Sequence, residues 1–227
     1  QLDAENKLLD DPALEDRVQV ITGRLVAIAV QEFPHTRDWS WSVALIDDPD
    51  TVNAWCMAGG RMAVYSGLID RLELTDDEFA QIMGHEISHA LANHTAERMS
   101  VAMASSVGVA AAGIASDRTG AALAGAALAA QLAVKLPNSR TGESEADAIG
   151  IELASKAGYD PAAAVTLWQK MEAEGGAGPS EFLSTHPAPG NRQAALAEMV
   201  PAMQEIRRAE YVSPYPVEIV KEGADVT

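Results

Sequence analysis

Residues 75–91 read as a single helix, and they constrain the fold more than any other stretch. Thr75 followed by Glu78 forms a capping box, and Phe79, Ile82, Met83, Ile87, Ala90 and Leu91 recur behind it at helical spacing. Into this apolar run the sequence sets His85-Glu86-Ile87-Ser88-His89. Histidines four apart lie one above the other on one helical face, so both imidazoles can reach a single zinc ion at about 2.0–2.1 Å. Glu86 is placed beside them to take a proton from a water whose pKa the ion lowers toward about 7. A surface helix with two solvated histidines would show the same spacing. Ile82, Gly84, Ile87 and Ala90 make this helix mostly apolar, however, and a polar ring in such a setting needs a partner.

A tetrahedral catalytic site needs a third protein ligand and an open position. Glu143-Ser144-Glu145-Ala146-Asp147 supplies it at the start of a later helix, with Glu143 and Asp147 one turn apart on the same face. We assign Glu143 to the zinc. Asp147 is then placed to accept the spare N–H of a ligating histidine, which fixes its tautomer. An acidic first turn is also what a helix dipole favours for its own sake. Its position downstream of the histidine pair tips the assignment toward the metal.

The rest of the chain bounds the setting. Its 227 residues, 48% hydrophobic and 22% charged, suffice for a single domain over 1–227, with a catalytic core at about 52–192 and a C-terminal tail at about 209–227. Lys plus Arg is 16 against 33 for Asp plus Glu, and a net charge of -17 repels phosphate backbones and anionic lipid, so no nucleic-acid partner is expected. The single cysteine, Cys56, excludes an intramolecular disulfide and reads as a small core residue. Residues 1–10 are charged, with no basic region followed by an apolar run, so no export signal is expected within them.

A helix is expected over 12–30, strands over 39–46, 51–57 and 61–65, and further helices over 143–156, from Asp160-Pro161 and after Pro189. The fold class is therefore α+β, mainly helical, with a small antiparallel sheet beside the cleft. The small-residue stretch 101–134 is split by Asp117-Arg118 and is expected to form helices near the cleft that do not span a bilayer. The glycines of 175–178 predict a mobile loop.

Four segments in order carry a family likeness. HEISH followed by ESEAD, with NAWCMAGGRMAVYSGLI before and STHPAPGNR after, resembles zinc metallopeptidase family 48, which includes HtpX-like, periplasmic BepA-like and CAAX prenyl proteases. The segments span roughly 52–192. The resemblance implies a gluzincin fold in which His85, His89 and Glu143 hold one Zn2+ and Glu86 is the catalytic base. It implies that Asn53, Ala54, Ala58, Gly59 and Gly60 border the cleft, where exposed backbone pairs with an extended protein or peptide substrate.

It further implies that His186 approaches the zinc, either as a removable fourth ligand or as a hydrogen-bond donor in the transition state. Arg140 and Arg192 match arginines beside the second and third motifs. The membrane spans of the HtpX-like and prenyl-protease members and the helical repeats of the BepA-like ones have no counterpart, so a stand-alone catalytic domain is expected. The family suggests the bacterial periplasm or envelope and protein quality control there. The rival is a latent zinc-site protein acting as a chaperone-like binding module.

The remaining candidates read as structural. His94 follows His89 by five positions, about 140° round a continuous helix, and so cannot share the metal. His35 reads as a loop residue, and Trp39, Trp41, Trp55 and Trp168 as core or cleft lining.

Overall fold

The structure is a computed structural model that describes residues 8–94, 96–97, 100, 139–174, 181–187 and 191–221. Helix α1 (Pro12–Glu32) starts where Asp11 accepts hydrogen bonds from the backbone N–H groups of Ala13 and Leu14, with proline in the first turn. Its Val18, Ile21, Leu25 and Ile28 face the core. After a 3-10 turn at Pro34–Asp38 come β1 (Ser42–Ile46), β2 (Ala54–Met57) and β3 (Arg61–Tyr65). A short helix α2 (Ser66–Leu72), which the sequence reading lacked, leads into α3 (Asp76–Leu91).

Beyond the stretch 101–138 follow α4 (Arg140–Lys156), α5 (Ala163–Glu174), α6 (Glu181–Thr185), α7 (Arg192–Ile206) and a two-residue strand β4 (Glu218–Ile219). The helices expected in 101–134 and the loop expected at 175–178 lie outside the described residues. Among those described, no helix is long and apolar enough to cross a membrane.

Among the described residues the fold is mainly helical with one small sheet, ordered β2-β3-β1-β4. That sheet is mixed, where the sequence predicted an antiparallel one. Only β2 and β3 run antiparallel, through the Gly59-Gly60 turn; β1 lies parallel to β3 and to β4. The reason is the connection 47–53, which is too long for a tight hairpin and carries the chain past the place of β3 to the far edge. Asp48 shapes it, accepting from Asp50 N, Thr51 N and Thr51 Oγ1. Since β2 runs against β1 and β3 against β2, the returning β3 must lie parallel to β1.

One face of the sheet, with Val43, Leu45, Ala54, Cys56, Met62 and Val64, joins the main core under the helices. The other face packs Ala44, Ile46 and Ala63 beneath Leu8, Trp55, Tyr65 and Val220.

α3 is the axis of the molecule. Every residue from Glu78 to Leu91 is buried, and the helix packs along α4 and against β2, α1 and α5. Its start has both halves of the capping box: Thr75 Oγ1 accepts from Glu78 N, and Glu78 Oε2 accepts from Thr75 N. The contact with α4 passes through a glycine pair. A Cβ on Gly84 would lie 2.8 Å from the Gly150 carbonyl oxygen, and one on Gly150 would lie 2.8 Å from His85 N. Two helices that meet backbone to backbone at this point bring their flanking side chains within reach of each other.

Candidate metal centre

His85 and His89 project from α3 toward the first turns of α4, where Glu143 is fully buried. α4 begins at Arg140, three residues earlier than expected, because Ser139 caps it by accepting from Gly142 N. His186 arrives just after α6, its backbone N–H bonded to Phe182 O and its ring stacked on Phe182 with centroids 4.4 Å apart.

Four ligand atoms converge. His85 Nε2 lies 3.0 Å from His89 Nε2 and 3.3 Å from His186 Nδ1; Glu143 Oε1 lies 3.3 Å from His89 Nε2 and 3.1 Å from His186 Nδ1. The set forms one buried group with all ligand atoms within 4.8 Å of one another. Ligands at about 2.0–2.1 Å from a tetrahedral ion stand about 3.3–3.4 Å apart, and nitrogen and carboxylate donors are what zinc takes. The residues present therefore fit such an ion in both spacing and chemistry.

Glu86 follows His85 on α3 and is 2% exposed. Its Oε1 makes no hydrogen bond among the described residues and lies 3.4 Å from His186 Nε2. Burial raises its pKa above the ordinary glutamate value, with the charges of His186 and His85 working the other way. A carboxyl poised higher than usual, buried at the mouth of a donor cluster, suits proton transfer near neutral pH.

The outer contacts are ordered too. His85 Nδ1 lies 3.0 Å from Asp147 Oδ1. Arg192, at the start of α7, donates from Nε to Asp147 Oδ2 at 2.7 Å and from Nη2 to Asp147 Oδ1 at 2.6 Å and Glu143 Oε2 at 3.1 Å. Its guanidinium carbon sits 3.5 Å from the centre of the Trp168 ring, a cation–π contact sealed from water. Arg192 thus ties a second carboxylate to the first and leaves Glu143 Oε1 to the cluster.

Burial pushes the His85 imidazole down, but its hydrogen bonds to the Asp147 and Glu143 carboxylates outweigh it and lift its pKa to about 9. His89 moves the opposite way, down to about 3, with burial as the main cause and Glu143 opposing. Glu143 is held far below the carboxylate range despite its burial, because three histidines hydrogen-bond its charged form.

The other residues singled out from the sequence fall into two groups. Asn53 and Ala54 lie at the start of β2, where Asn53 Oδ1 accepts from Ala54 N; β2 is an edge of the sheet and packs against α3. Ala58 is exposed in the turn after β2; Gly59 and Gly60 there have φ of 97° and 86°, and a Cβ on Gly60 would strike the Trp41 ring at 2.9 Å. Arg140 is exposed at the first residue of α4 and stands apart from the cluster.

From its sequence His94 reads as a structural residue that cannot share the metal, on the premise of a continuous helix. The helix ends at Leu91, Asn93 takes φ 57°, and the chain turns His94 back so that its Nδ1 lies 2.8 Å from His89 Nδ1. An asparagine just past the last apolar turn is a recognised left-handed stop and was the available signal. Trp168 was read only as core or cleft lining; no local pattern announces its stacking on Arg192, 24 positions away.

Comparison with known proteins leads to the same place. The chain is 35% identical over 166 residues to the mitochondrial metalloendopeptidase OMA1 of Arabidopsis thaliana, covering 72% of this chain and 32% of that one. It is 36% identical over 169 residues to the Schizosaccharomyces pombe protein of that name, covering 74% and 49%. It is 30% identical over 203 residues to the beta-barrel assembly-enhancing protease of Escherichia coli strain K12, covering 86% and 40%. The chain thus spans about a third to a half of the length of these relatives. The model of peptidase family M48 matches residues 12–200, from the start of α1 into α7. Because that region contains the whole cluster and the edge strand beside it, the chain belongs to peptidase family M48.

Proposed function

We propose that this chain is the catalytic domain of a zinc-dependent metalloendopeptidase, with one Zn2+ held by His85, His89 and Glu143 and with Glu86 as the base. The convergence of four donor atoms at tetrahedral spacing, beside a buried Glu86 carboxylate whose Oε1 lies 3.4 Å from His186 Nε2, carries the reading. Zinc, when bound, supplies Lewis-acid polarisation of the scissile carbonyl and acidifies water. Glu86 takes the proton of the attacking water and delivers it to the departing amine nitrogen. Asp147 and Arg192 hold His85 and Glu143 in place through the contacts described above.

The substrate is a protein or peptide in extended conformation, lying along the outer edge of β2 near Asn53, Ala54, Ala58, Gly59 and Gly60. Among the described residues β2 has one strand neighbour, β3, and it rests on the helix that bears the histidines, which supports strand addition there.

His186 acts as a removable latch: its Nδ1 lies 3.3 Å from His85 Nε2 and 3.1 Å from Glu143 Oε1, where it would hold the ion in competition with a substrate. The bacterial relative's tie to beta-barrel assembly supports a role in envelope protein quality control, in the periplasm; the mitochondrial relatives make subcellular fractionation the deciding measurement. The core test is metal analysis of the purified protein together with casein digestion with and without a chelator. One zinc per chain and chelator-sensitive cleavage are expected; cleavage that survives complete metal removal would overturn the reading.

A further inference from the structure

The two histidines of α3 are held from behind in different ways, and only one of these follows from the H-E-x-x-H and E-x-x-x-D motifs. His85 turns Nε2 to the cluster and Nδ1 to Asp147. His89 likewise turns Nε2 to the cluster, but its Nδ1 meets the Nδ1 of His94 at 2.8 Å. The His94 ring is buried, its Nε2 lies 3.3 Å from Glu145 Oε2, and that carboxylate is 56% exposed. A neutral imidazole has one N–H and one lone pair, so the roles along this chain are forced once the first is set.

If His89 Nε2 offers its lone pair to a metal, its Nδ1 carries the hydrogen and donates it to His94 Nδ1. His94 must then carry its own hydrogen on Nε2, where Glu145 accepts it. With those roles both nitrogens of His94 are satisfied.

We propose that His94 is a positioning residue of the metal centre, fixing the tautomer and ring orientation of His89 with Glu145 anchoring it from the surface. The inference rests on the zinc reading above and extends it. Three acids of the segment 143–147 then divide the work: Glu143 joins the cluster, Asp147 holds His85, and Glu145 holds His89 at one remove through His94. The left-handed Asn93 makes this reachable, because it ends α3 and brings residue 94 back over the ring of residue 89, with centroids 5.0 Å apart.

The test compares zinc affinity by chelator competition, and the visible spectrum of the cobalt-substituted protein, across His94→Phe, His94→Asn, Glu145→Ala and the parent chain. Losing an outer hydrogen-bond partner of a ligating histidine weakens metal binding by about 10–100-fold, so His94→Phe should bind zinc that much more weakly and show altered cobalt bands. His94→Asn, whose amide oxygen falls near the Nδ1 position, should recover most of the affinity and the parent spectrum, which a packing role alone would not produce. Glu145→Ala lies at an exposed side chain and tests the chain of contacts without risk to folding; a smaller loss in the same direction is expected.

Parent-like affinity and spectrum in both His94→Phe and Glu145→Ala would overturn the proposal. Equal loss in His94→Phe and His94→Asn would also overturn it, in favour of packing. Failure of the parent chain itself to bind zinc would instead overturn the zinc reading on which it rests.

Discussion

Glu86 and His186 face each other across the donor cluster, with Oε1 and Nε2 3.4 Å apart, and single substitutions separate their roles. Glu86→Gln keeps the shape and the ligands but removes the base, so zinc content should stay at the parent level while casein turnover falls by about 10²–10⁴-fold. Turnover near the parent rate would remove Glu86 from the mechanism. For His186→Ala the expected outcome is a rise in basal turnover, since a side chain that would compete with substrate for the ion is removed. A fall of about 10²–10³-fold would mark His186 as an oxyanion donor instead. An unchanged rate would leave it a packing residue against Phe182. At this scale the ligand types were legible because histidine spacing on a helix is local. The backing of His89 by His94 was not, because it depends on the left-handed turn at Asn93 that follows the end of α3 at Leu91.

Among the elements, the pairing of α3 with α4 sets the spacing between ligands. Gly150→Ala would push a methyl against His85 N and Cα at 2.8 and 3.0 Å, backbone atoms with no way to yield. Overpacking of this kind costs about 1–3 kcal/mol, and the shift it forces on α4 carries Glu143 and Asp147 away from the histidines. A lowered melting temperature together with weaker zinc binding is expected; stability lost with zinc affinity intact would show that the ligands are set independently of the helix contact.

At the other end of α3, the buried Glu78 accepts from Thr75, from Thr166 Oγ1 at 2.8 Å and from Lys170 Nζ at 2.7 Å, which joins α3 to α5. Burial works against the charged form, but the Lys170 and Thr75 contacts prevail and hold its pKa below the usual value of 4.5. A carboxylate with a depressed folded pKa stabilises above its unfolded pKa, and that contribution is lost as pH falls through the folded one. Glu78→Gln should therefore cost about 1–3 kcal/mol in urea denaturation at pH 7, and the gap to the parent chain should narrow below about pH 4.5. A gap independent of pH would mean that the hydrogen-bond geometry, and not the charge, carries the effect.

For the molecule as a whole, the segment after α7 closes the sheet. β4 runs parallel to β1, Tyr215 N donates to Gly23 O, Gln19 donates to Val217 O, and Val212 and Val217 are buried. A chain ending at residue 210 should lose on the order of 3–6 kcal/mol from the two valines alone, a large share of a typical domain's stability, and thermal melting would register it. A parent-like melting temperature would show that β4 merely rests on the sheet. The sequence offered no strand signal there, because two residues flanked by proline and charge carry no period. Capping residues, apolar periods and the spacing of His85, Glu86 and His89 act within a few residues of one another, so the sequence alone determined α1, α3, the β2–β3 hairpin and which side chains could ligate. Strand neighbours, the parallel β1–β3 pairing, the glycine contact of α3 with α4, the stacking of Arg192 on Trp168 and the contact of His94 with Glu145 join residues far apart along the chain. Those depended on how the layers pack, a property of side-chain volumes meeting in space that no local pattern records.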